Sequence, residues 1–226
     1  MMFEPLASAA AALFPEEQEL GVALIDIGGG TTDIIVFHNG AVMHTAVLPI
    51  GGNHLTGDVA AGLRTPASEA ERLKVTYGVA TNLVVGQDEM VQVPGVGGRE
   101  PRVIARRLLG EIIEPRMEEI FAMAQRELMR SGVADSLASG VVLVGGTSLL
   151  EGTQELAERI FNLPVRRGLP INLKGMPEEL MKPMFTTAAG LLLHAAAGRG
   201  GTNGLARYGR WGRLRSRVTD WMRDFF

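Results

Sequence analysis

Three consecutive glycines stand between two short apolar segments and determine how this part of the chain folds. Val22–Ile25 precedes them, Ile34–Phe37 follows them, and the dipeptide Asn39-Gly40 comes next. Short apolar runs bounded by glycine are typical of buried strands, and Asn-Gly is a strong hairpin signal. The sequence therefore predicts strands over residues 22–50, with the three glycines in a tight turn between the first two.

The same turn carries the residue types that bind an anion. Glycines without a Cβ atom let backbone N–H groups approach a phosphate closely, and the hydroxyls of Thr31 and Thr32 add side-chain donors. Asp26, at the end of the first predicted strand, is placed to hold a hydrated Mg²⁺ or to orient a water. We therefore predict a triphosphate site whose contacting residues here are Gly28, Gly29, Gly30, Thr31 and Thr32. No Gly-Lys-Ser/Thr follows, and a strand rather than a helix comes next, which excludes a Walker loop and a Rossmann turn.

Periodicity predicts the elements that follow. Apolar spacing indicates a helix at His54–Leu63. Thr186–Ala197 is predicted to be a helix of small residues that packs closely against a sheet. Ser68 is the predicted N-cap of a helix over Glu69–Tyr77. Residues 83–93 read as strands because they are rich in apolar and β-branched side chains.

Residues 101–131 carry pairs of apolar residues at a helical spacing, which predicts a buried helical stripe. Because proline lacks a backbone N–H, Pro115 is expected to split this helix or to begin a second one. Further on, Val141–Val144 reads as a short buried strand, Gly145–Ser148 as a glycine turn and Glu151–Phe161 as a helix. Ligands commonly bind at such a turn, at the carboxyl end of a sheet strand.

Composition excludes several classes of protein. The chain has 226 residues, of which 46% are hydrophobic and 21% charged, as is ordinary for a globular protein. It has no cysteine, so disulfides and cysteine metal sites are excluded, and its four histidines lack the spacing of a metal site. Residues 199–226 hold seven arginines against two aspartates, whereas residues 1–198 hold 15 basic and 23 acidic residues. This basic segment on an acidic body is expected to meet an anionic surface.

Residues 213–226 predict an amphipathic helix, about 21 Å long, after a glycine-rich linker. One face collects the apolar side chains Leu214, Val218, Trp221, Met222 and Phe225. The basic residues of the largely opposite side include Arg213, Arg217 and Arg223. Such a helix is too short to span a bilayer but suits an interface with anionic lipid, so these eight residues are the predicted membrane contacts. The alternative is a helix that docks on its own domain.

Several motifs together resemble the FtsA family of bacterial cell-division proteins, within the actin-like ATPase superfamily. Asp26–Thr32 resembles the second phosphate motif of that superfamily, and Gly145–Leu150 resembles its adenosine motif. Ala70–Lys74 resembles the helix that contacts ribose and adenine. Leu48–Asn53 and Ile112–Arg116 resemble segments specific to FtsA, and the amphipathic helix is similar to the family's membrane-targeting sequence.

The resemblance implies an α/β fold: half of an actin-like, ribonuclease H-like ATPase, in which helices flank a mixed β-sheet and an amphipathic C-terminal helix follows a linker. No second Asp-Xaa-Gly motif lies between Asp26 and Gly145, so the first half is expected to be missing from this chain. The predicted divisions are the end of a preceding subdomain at 1–17, a sheet subdomain at 18–64 and 136–197, a smaller subdomain at 65–135, a linker at 198–212 and a membrane-targeting helix at 213–226.

By the same resemblance, the expected ligands are ATP and Mg²⁺. Gly51 and Gly52 would close on the phosphates, and Glu71 and Lys74 would bracket the ribose. The adenine would lie against the backbone of Gly145, Gly146 and Thr147. Because phosphoryl transfer needs charge stabilisation from both sides of a cleft, half a cleft is expected to bind ATP weakly and to hydrolyse it negligibly, if at all.

The implied partners are FtsZ filaments, further copies of the chain in a polymer, anionic inner-membrane lipids and later division proteins, with no nucleic acid. The implied location is the cytoplasmic face of the bacterial inner membrane, at the division septum. Two alternatives remain open on the sequence. One is another actin-like filament or pilus-assembly ATPase, such as an MreB-like protein; the other is an interaction module that binds no nucleotide and whose C-terminal helix binds a partner.

Overall fold

The computed structural model of the chain describes residues 2–95, 100–171, 173 and 175–198. The predicted amphipathic helix at 213–226, and the predicted linker beyond Gly198, lie outside the described residues. The structure therefore bears on the predicted sheet, its flanking helices and the predicted phosphate turn.

The described residues form strands and helices in the following order. The strands are β1 (Val22–Ile27), β2 (Thr32–His38), β3 (Ala41–Leu48), β4 (Met90–Val93), β5 (Arg102–Ala105), β6 (Val141–Val144) and β7 (Val165–Arg167). The α-helices are α1 (Glu4–Ala12), α2 (Pro15–Leu20), α3 (Gly52–Leu63), α4 (Ala67–Tyr77), α5 (Arg106–Arg130), α6 (Thr153–Phe161) and α7 (Thr186–Gly198).

A five-stranded mixed sheet organises the molecule, with the strand order β3-β2-β1-β6-β7. The three sequential strands β1 to β3 are antiparallel, whereas β6 is parallel to both β1 and β7. The turn Gly28–Thr31 joins β1 to β2, as predicted. Asn39 and Gly40 join β2 to β3 with φ values of 51° and 71°, the left-handed conformation that a tight hairpin turn requires. Strands β4 and β5 form a separate two-stranded sheet.

Helices cover both faces of the large sheet, so the predicted α/β arrangement is confirmed. On one face, Ile25 and Ile34 belong to a core that also contains buried residues of α3, α4, α5 and α6. On the other face, Leu24 and Ile35 pack against α1. Strands buried on both sides read as continuous apolar runs rather than alternating ones, which is why β1 and β2 were visible in the sequence.

The helices α1 and α7 pack closely against each other behind the second face. A Cβ atom built on Gly190 would lie 1.8 Å from the carbonyl oxygen of Ala7, so only glycine fits there. Helix α1 is rich in alanine for the same reason, since small side chains let two helix backbones approach.

The prediction that Pro115 interrupts the helix over residues 101–131 was wrong. Helix α5 runs unbroken through Pro115, and residues 102–105 form β5 instead. Pro115 lies on the exposed side of α5, so water can hydrate the carbonyl group that loses its N–H partner. The buried positions Ile113 and Met117 stay in phase on either side of it, so the core holds both halves of the helix in line.

Two smaller predictions were also wrong. Of residues 83–93, only β4 is a strand, and Asn82–Val84 form a turn of 3₁₀-helix. The Glu114 carboxylate accepts hydrogen bonds from the Thr81 hydroxyl and the Asn82 amide, and this contact from α5 fixes the turn. Helix α4 begins at Ala67, after Pro66, rather than being capped by Ser68.

Arg106 links the start of α5 to the end of α4, to the residue before β4 and to the segment before α6, and its loss is expected to destabilise the protein. Its guanidinium donates to the Tyr77 carbonyl at 2.9 Å and pairs with Glu89 and Glu151. Replacing Arg106 by methionine is expected to lower the free energy of unfolding by about 1–2 kcal/mol, measured by urea denaturation, because the mostly buried guanidinium loses all three partners.

Arg72→Met is the matched control, because Arg72 is half exposed and its ion pair among the described residues is with Glu69, one helical turn away. Its effect is expected to stay within about 0.5 kcal/mol of zero. Equal effects of the two substitutions would contradict the role given to Arg106.

In the part of the chain that the structure covers, no helix combines the length and the apolar character needed to cross a membrane. The strands of the large sheet lie within 18–64 and 136–197, and β4 and β5 lie within 65–135. The division of the chain into subdomains at those boundaries stays a prediction.

Candidate nucleotide site

The turn Gly28–Thr31 presents a row of backbone N–H groups to solvent. The Gly28 amide closes the turn by donating to the Thr31 carbonyl at 2.9 Å. Gly29, Gly30 and Thr31 are exposed, and their amides have no hydrogen-bond partner among the described residues. Successive amides that point outward from a tight turn form a concave donor surface that suits a phosphate.

Two other segments hold the back of this turn. The amides of Gly52 and Asn53, at the start of α3, donate to the carbonyls of Gly28 and Gly29 at 2.9 and 2.7 Å. The Thr147 hydroxyl donates to the same Gly28 carbonyl at 3.1 Å. The carbonyl groups of Gly28 and Gly29 are thus engaged on the protein side, which leaves the exposed amides of Gly29, Gly30 and Thr31 for the solvent side.

The predicted residues Gly51 and Gly52 lie directly behind the turn, with their own amides engaged. The Gly51 amide donates to the His54 Nδ1 atom at 3.2 Å, and the Gly52 amide is the one bound to Gly28. A Cβ atom on Gly51 would lie 2.7 Å from the Gly28 carbonyl oxygen. In this structure the two glycines position the turn, and contact with phosphate through their amides stays a prediction. The Thr32 hydroxyl is also engaged, because it donates to the Ile50 carbonyl at 2.8 Å.

Glu71 and Lys74 of α4 come to the same place but bind each other and α3. The buried Lys74 ammonium donates to the Gly52 carbonyl at 3.0 Å and to the Thr56 hydroxyl at 2.9 Å, and lies 2.7 Å from the Glu71 carboxylate. Burial alone would raise the pKa of Glu71, but the hydrogen bonds from Lys74 and Thr56 outweigh it and lower the pKa. Lys74 thus links α4 to the start of α3, and the half-exposed Glu71 has an edge free for a ligand hydroxyl.

Gly145 lets the segment after β6 approach β1. Its φ of 85° favours glycine, and a Cβ atom there would lie 2.5 Å from both the Ile27 carbonyl oxygen and the Asp26 Oδ1 atom. Gly146 next to it is exposed, so its backbone is accessible to a flat ring. The structure thus brings Gly145, Gly146 and Thr147 to the phosphate turn.

Asp26 lies at the end of β1, almost buried, beneath the turn. Its Oδ2 atom accepts hydrogen bonds from the Ser8 hydroxyl at 2.8 Å and the Thr187 hydroxyl at 3.3 Å. Burial raises the pKa of Asp26, and these hydrogen bonds offset only part of the effect. A buried carboxylate that is costly to ionise gains most from a nearby cation.

Sequence reasoning missed two carboxylates beside Asp26. Asp33 lies directly opposite Asp26 in the antiparallel pairing of β1 and β2, and Glu4 at the start of α1 also raises the pKa of Asp26 by its charge. The position of Asp33 could have been predicted from the sequence, because a four-residue turn from Gly28 to Thr31 fixes the register in which β1 pairs with β2. Glu4 was not, because nothing local brings α1 to the end of β1.

The residues present fit a magnesium ion that is held mainly by a nucleotide. Within the described ranges, no three His, Asp or Glu side chains are grouped closely enough to hold a metal by themselves. Mg²⁺ commonly keeps several waters and takes only one or two carboxylates besides the phosphates. The Asp26 carboxylate, next to a row of free amides, can supply the one carboxylate that such a site needs.

The Asp26→Asn variant is expected to gain stability relative to the parent chain as pH rises. Because burial raises the pKa of Asp26 above its ordinary 3.8, the folded protein binds this proton more tightly than the unfolded chain. Ionisation therefore destabilises the fold, by an amount that is absent below about pH 4 and grows as pH rises through the folded pKa. Urea unfolding between acid and neutral pH measures the difference between the variant and the parent.

Glu71→Gln is expected to change stability with pH in the opposite direction to Asp26→Asn. The pKa of Glu71 lies below its ordinary 4.5, so this group contributes stability above the unfolded pKa and loses it as pH falls through the folded pKa. The glutamine variant is expected to be less stable than the parent at neutral pH and to approach it in acid. If the stability difference from the parent changed with pH in the same direction for both variants, the surroundings described for Asp26 and Glu71 would be contradicted.

A protein-family model described as cell division protein FtsA matches residues 23–190, a range that includes the whole candidate site. The cell division protein FtsA of Pseudomonas aeruginosa is 48% identical over 194 residues, covering 86% of this chain and 46% of that protein. The one from Neisseria meningitidis serogroup B is 49% identical over 197 residues, covering 87% and 47%. The chain thus spans about half the length of the curated relatives it matches.

Among solved structures, MreB 5 of Spiroplasma citri bound to AMPPNP has a similar fold, with a TM-score of 0.71. The match covers 86% of this chain and 58% of that one, at 20% sequence identity. At that identity the likeness shows the fold alone, which is the actin-like fold predicted from the sequence. The much higher identity to the FtsA proteins favours that family over the MreB-like alternative.

Proposed function

Because this chain belongs to the FtsA family of cell-division proteins, we propose that it binds ATP at the turn Gly28–Thr31 as part of the bacterial division machinery. The observation that carries this proposal is the row of exposed amides at Gly29, Gly30 and Thr31. The carbonyl groups of Gly28 and Gly29 accept hydrogen bonds from α3 and Thr147, so the turn is already held in shape before a ligand arrives. Such preorganised donors suit the β- and γ-phosphates of a nucleotide.

Asp26 would hold a water of the Mg²⁺ that accompanies the nucleotide, and the ion would neutralise the phosphate charge. Gly145, Gly146 and Thr147 would lie against the adenine, and Glu71 would accept a hydrogen bond from the ribose. We expect this chain alone to bind Mg²⁺·ATP weakly and to hydrolyse it negligibly, because it supplies one side of a cleft. Titration with Mg²⁺·ATP tests the assignment: no saturable binding at any concentration would contradict it.

The cellular role that we propose is to tether FtsZ filaments to the cytoplasmic membrane at the division septum. Family membership supports it, together with the basic amphipathic pattern of residues 213–226. In the same proposal, copies of the protein polymerise and recruit later division proteins. The membrane contact would be peripheral, through the apolar face of that helix with its arginines on anionic headgroups.

Deleting residues 205–226 is expected to abolish binding to anionic liposomes, measured by co-sedimentation. Five large apolar side chains and several arginines are expected to contribute several kcal/mol to interfacial binding, so the full chain should sediment with the vesicles. Binding should fall as salt rises, because part of it is electrostatic.

Trp221→Glu is the point substitution for the same test, and Arg72→Gln in α4 is its control, because it also makes the chain more negative by one charge. The first is expected to release the chain from liposomes, and the second is expected to leave it bound. No sedimentation of the chain either with or without residues 205–226 would favour the alternative, a helix that docks on protein, and equal binding by both would contradict the assigned membrane contacts.

A further inference from the structure

Ser8 is a completely buried hydroxyl in the middle of the alanine-rich helix α1. It donates a hydrogen bond to the Oδ2 atom of Asp26 at 2.8 Å. The Thr187 hydroxyl of α7 lies 2.8 Å from the Ser8 hydroxyl and 3.3 Å from the same Oδ2 atom. Two helices thus meet the end of β1 at a single carboxylate oxygen, and we call these three residues the hydroxyl clamp.

The clamp has a direction. Each hydroxyl has one proton, and Ser8 gives its proton to Asp26, so Ser8 accepts in its 2.8 Å contact with Thr187. The single proton of Thr187 is then shared between the Ser8 hydroxyl and, at 3.3 Å, the Oδ2 atom of Asp26. The chain of donation runs from Thr187 to Ser8 to Asp26, with the carboxylate as the final acceptor. Hydrogen bonds to a charged acceptor are stronger than neutral ones, and each member of such a chain polarises the next.

The clamp also distinguishes the two oxygens of Asp26. Oδ2 is engaged by α1 and α7, whereas Oδ1 lies against Gly145, where a built Cβ atom would be 2.5 Å from it. Gly145 begins the predicted adenosine segment, so Oδ1 is the oxygen on the side of the candidate nucleotide site. The orientation of the carboxyl group is therefore set by two residues that are far from Asp26 in sequence.

We propose that Ser8 and Thr187 are positioning residues, which hold the Asp26 carboxylate by Oδ2 so that Oδ1 faces the water of a nucleotide-bound Mg²⁺. The proposal rests on the proposed function for the identity of that ligand. It also links the site to the close packing of α1 on α7, because Ser8 and Thr187 lie on these two helices next to or near the contact between Ala7 and Gly190.

The variants Ser8→Ala and Thr187→Val each remove one of the two hydroxyls. Thr187→Ser is the conservative variant that keeps the hydroxyl at position 187. Ser8→Ala introduces the residue that already fills most of α1, so the helix should form normally. Thr153→Val is the matched control: it removes an equally buried hydroxyl, which donates to the Leu150 carbonyl at 2.6 Å in another part of the fold.

Two measurements on this chain separate positioning from simple stability. The first is the pH titration of the Asp26 carboxyl carbon by NMR, in which loss of either hydroxyl is expected to raise the pKa further because a donor to the ionised form is removed. The second is the affinity for ATP in Mg²⁺ compared with EDTA. Ser8→Ala and Thr187→Val are expected to weaken binding in Mg²⁺ roughly five- to tenfold and binding in EDTA less than twofold.

Thr187→Ser and Thr153→Val are expected to keep the parent titration and the parent ratio of affinities, whatever they do to stability. An Asp26 titration that is unchanged in both Ser8→Ala and Thr187→Val would overturn the clamp, as would equal losses of affinity in Mg²⁺ and EDTA. A parent chain that binds ATP in neither buffer would refute the proposed function, and the carboxyl titration would then decide the clamp on its own.

Discussion

Replacing Gly190 by alanine is expected to lower the free energy of unfolding by about 3 kcal/mol. The new Cβ atom would lie 1.8 Å from the carbonyl oxygen of Ala7 and 2.4 Å from its carbonyl carbon. Both are backbone atoms of α1, which cannot rotate away, so α7 has to separate from α1. That separation also opens the apolar cluster around Ala11 and Ala189. Urea denaturation of the purified chain measures the loss.

Gly57→Ala is the matched control in α3. No atom lies within 4 Å of the position that its Cβ would take, so the substitution meets open space. Alanine favours a helix over glycine, and a gain of about 0.5–1 kcal/mol is expected. A Gly190→Ala variant as stable as the parent chain would contradict the close packing of α1 and α7.

Replacing Gly51 by alanine is expected to weaken the binding of Mg²⁺·ATP at least about tenfold. The new Cβ atom would lie 2.7 Å from the Gly28 carbonyl oxygen and 2.9 Å from that of Gly29. Because both are backbone atoms of the phosphate turn, the start of α3 has to move away from it. The hydrogen bonds that hold the turn carbonyls back would then break, and the free amides would lose their common orientation. Equilibrium titration with ATP measures the change.

Gly57→Ala, further along α3, is also the control for this substitution. A Cβ atom on Gly57 meets open space, and Gly57 is not part of the phosphate turn, so the turn keeps its shape and its amides. Its affinity is expected to stay within about twofold of the parent value. Similar losses for the two substitutions would contradict the role of Gly51 in supporting the turn.

The part of the fold that the sequence predicted correctly is the part specified by local signals. The apolar run Val22–Ile25 and the Asn39-Gly40 turn determine two strands and their connection almost without tertiary help. The small-residue helix predicted at 186–197 also formed, but the close packing it makes is against α1 rather than against a sheet. The prediction of a break at Pro115 was wrong because the tertiary packing of α5 outweighs the lost hydrogen bond. The prediction of strands over residues 83–93 was wrong at its start because Glu114 of α5 accepts hydrogen bonds from Thr81 and Asn82 and so holds the turn there.

The residues of the candidate site also differ in whether they have a local sequence signal. Glycines 28 to 30 and 145 to 146 could be proposed from the sequence because a run of glycines after an apolar strand is itself a recognisable pattern. Ser8 and Thr187 could not be predicted from the sequence, because a buried hydroxyl in a helix has no local sequence pattern and its partner lies far along the chain. Lys74 was recognised by resemblance, but its three partners in α3 and α4 follow only from how those two helices pack.

An amide NMR titration of this chain with Mg²⁺·ATP tests the phosphate site directly. We expect the largest shifts on the amides of Gly29, Gly30 and Thr31, with smaller ones on Gly145, Gly146 and Thr147. We also expect Gly51→Ala to suppress these shifts and Gly57→Ala to leave them unchanged. Saturating shifts confined to other parts of the chain, or no shifts in the turn at any ATP concentration, would contradict a phosphate site at Gly28–Thr31.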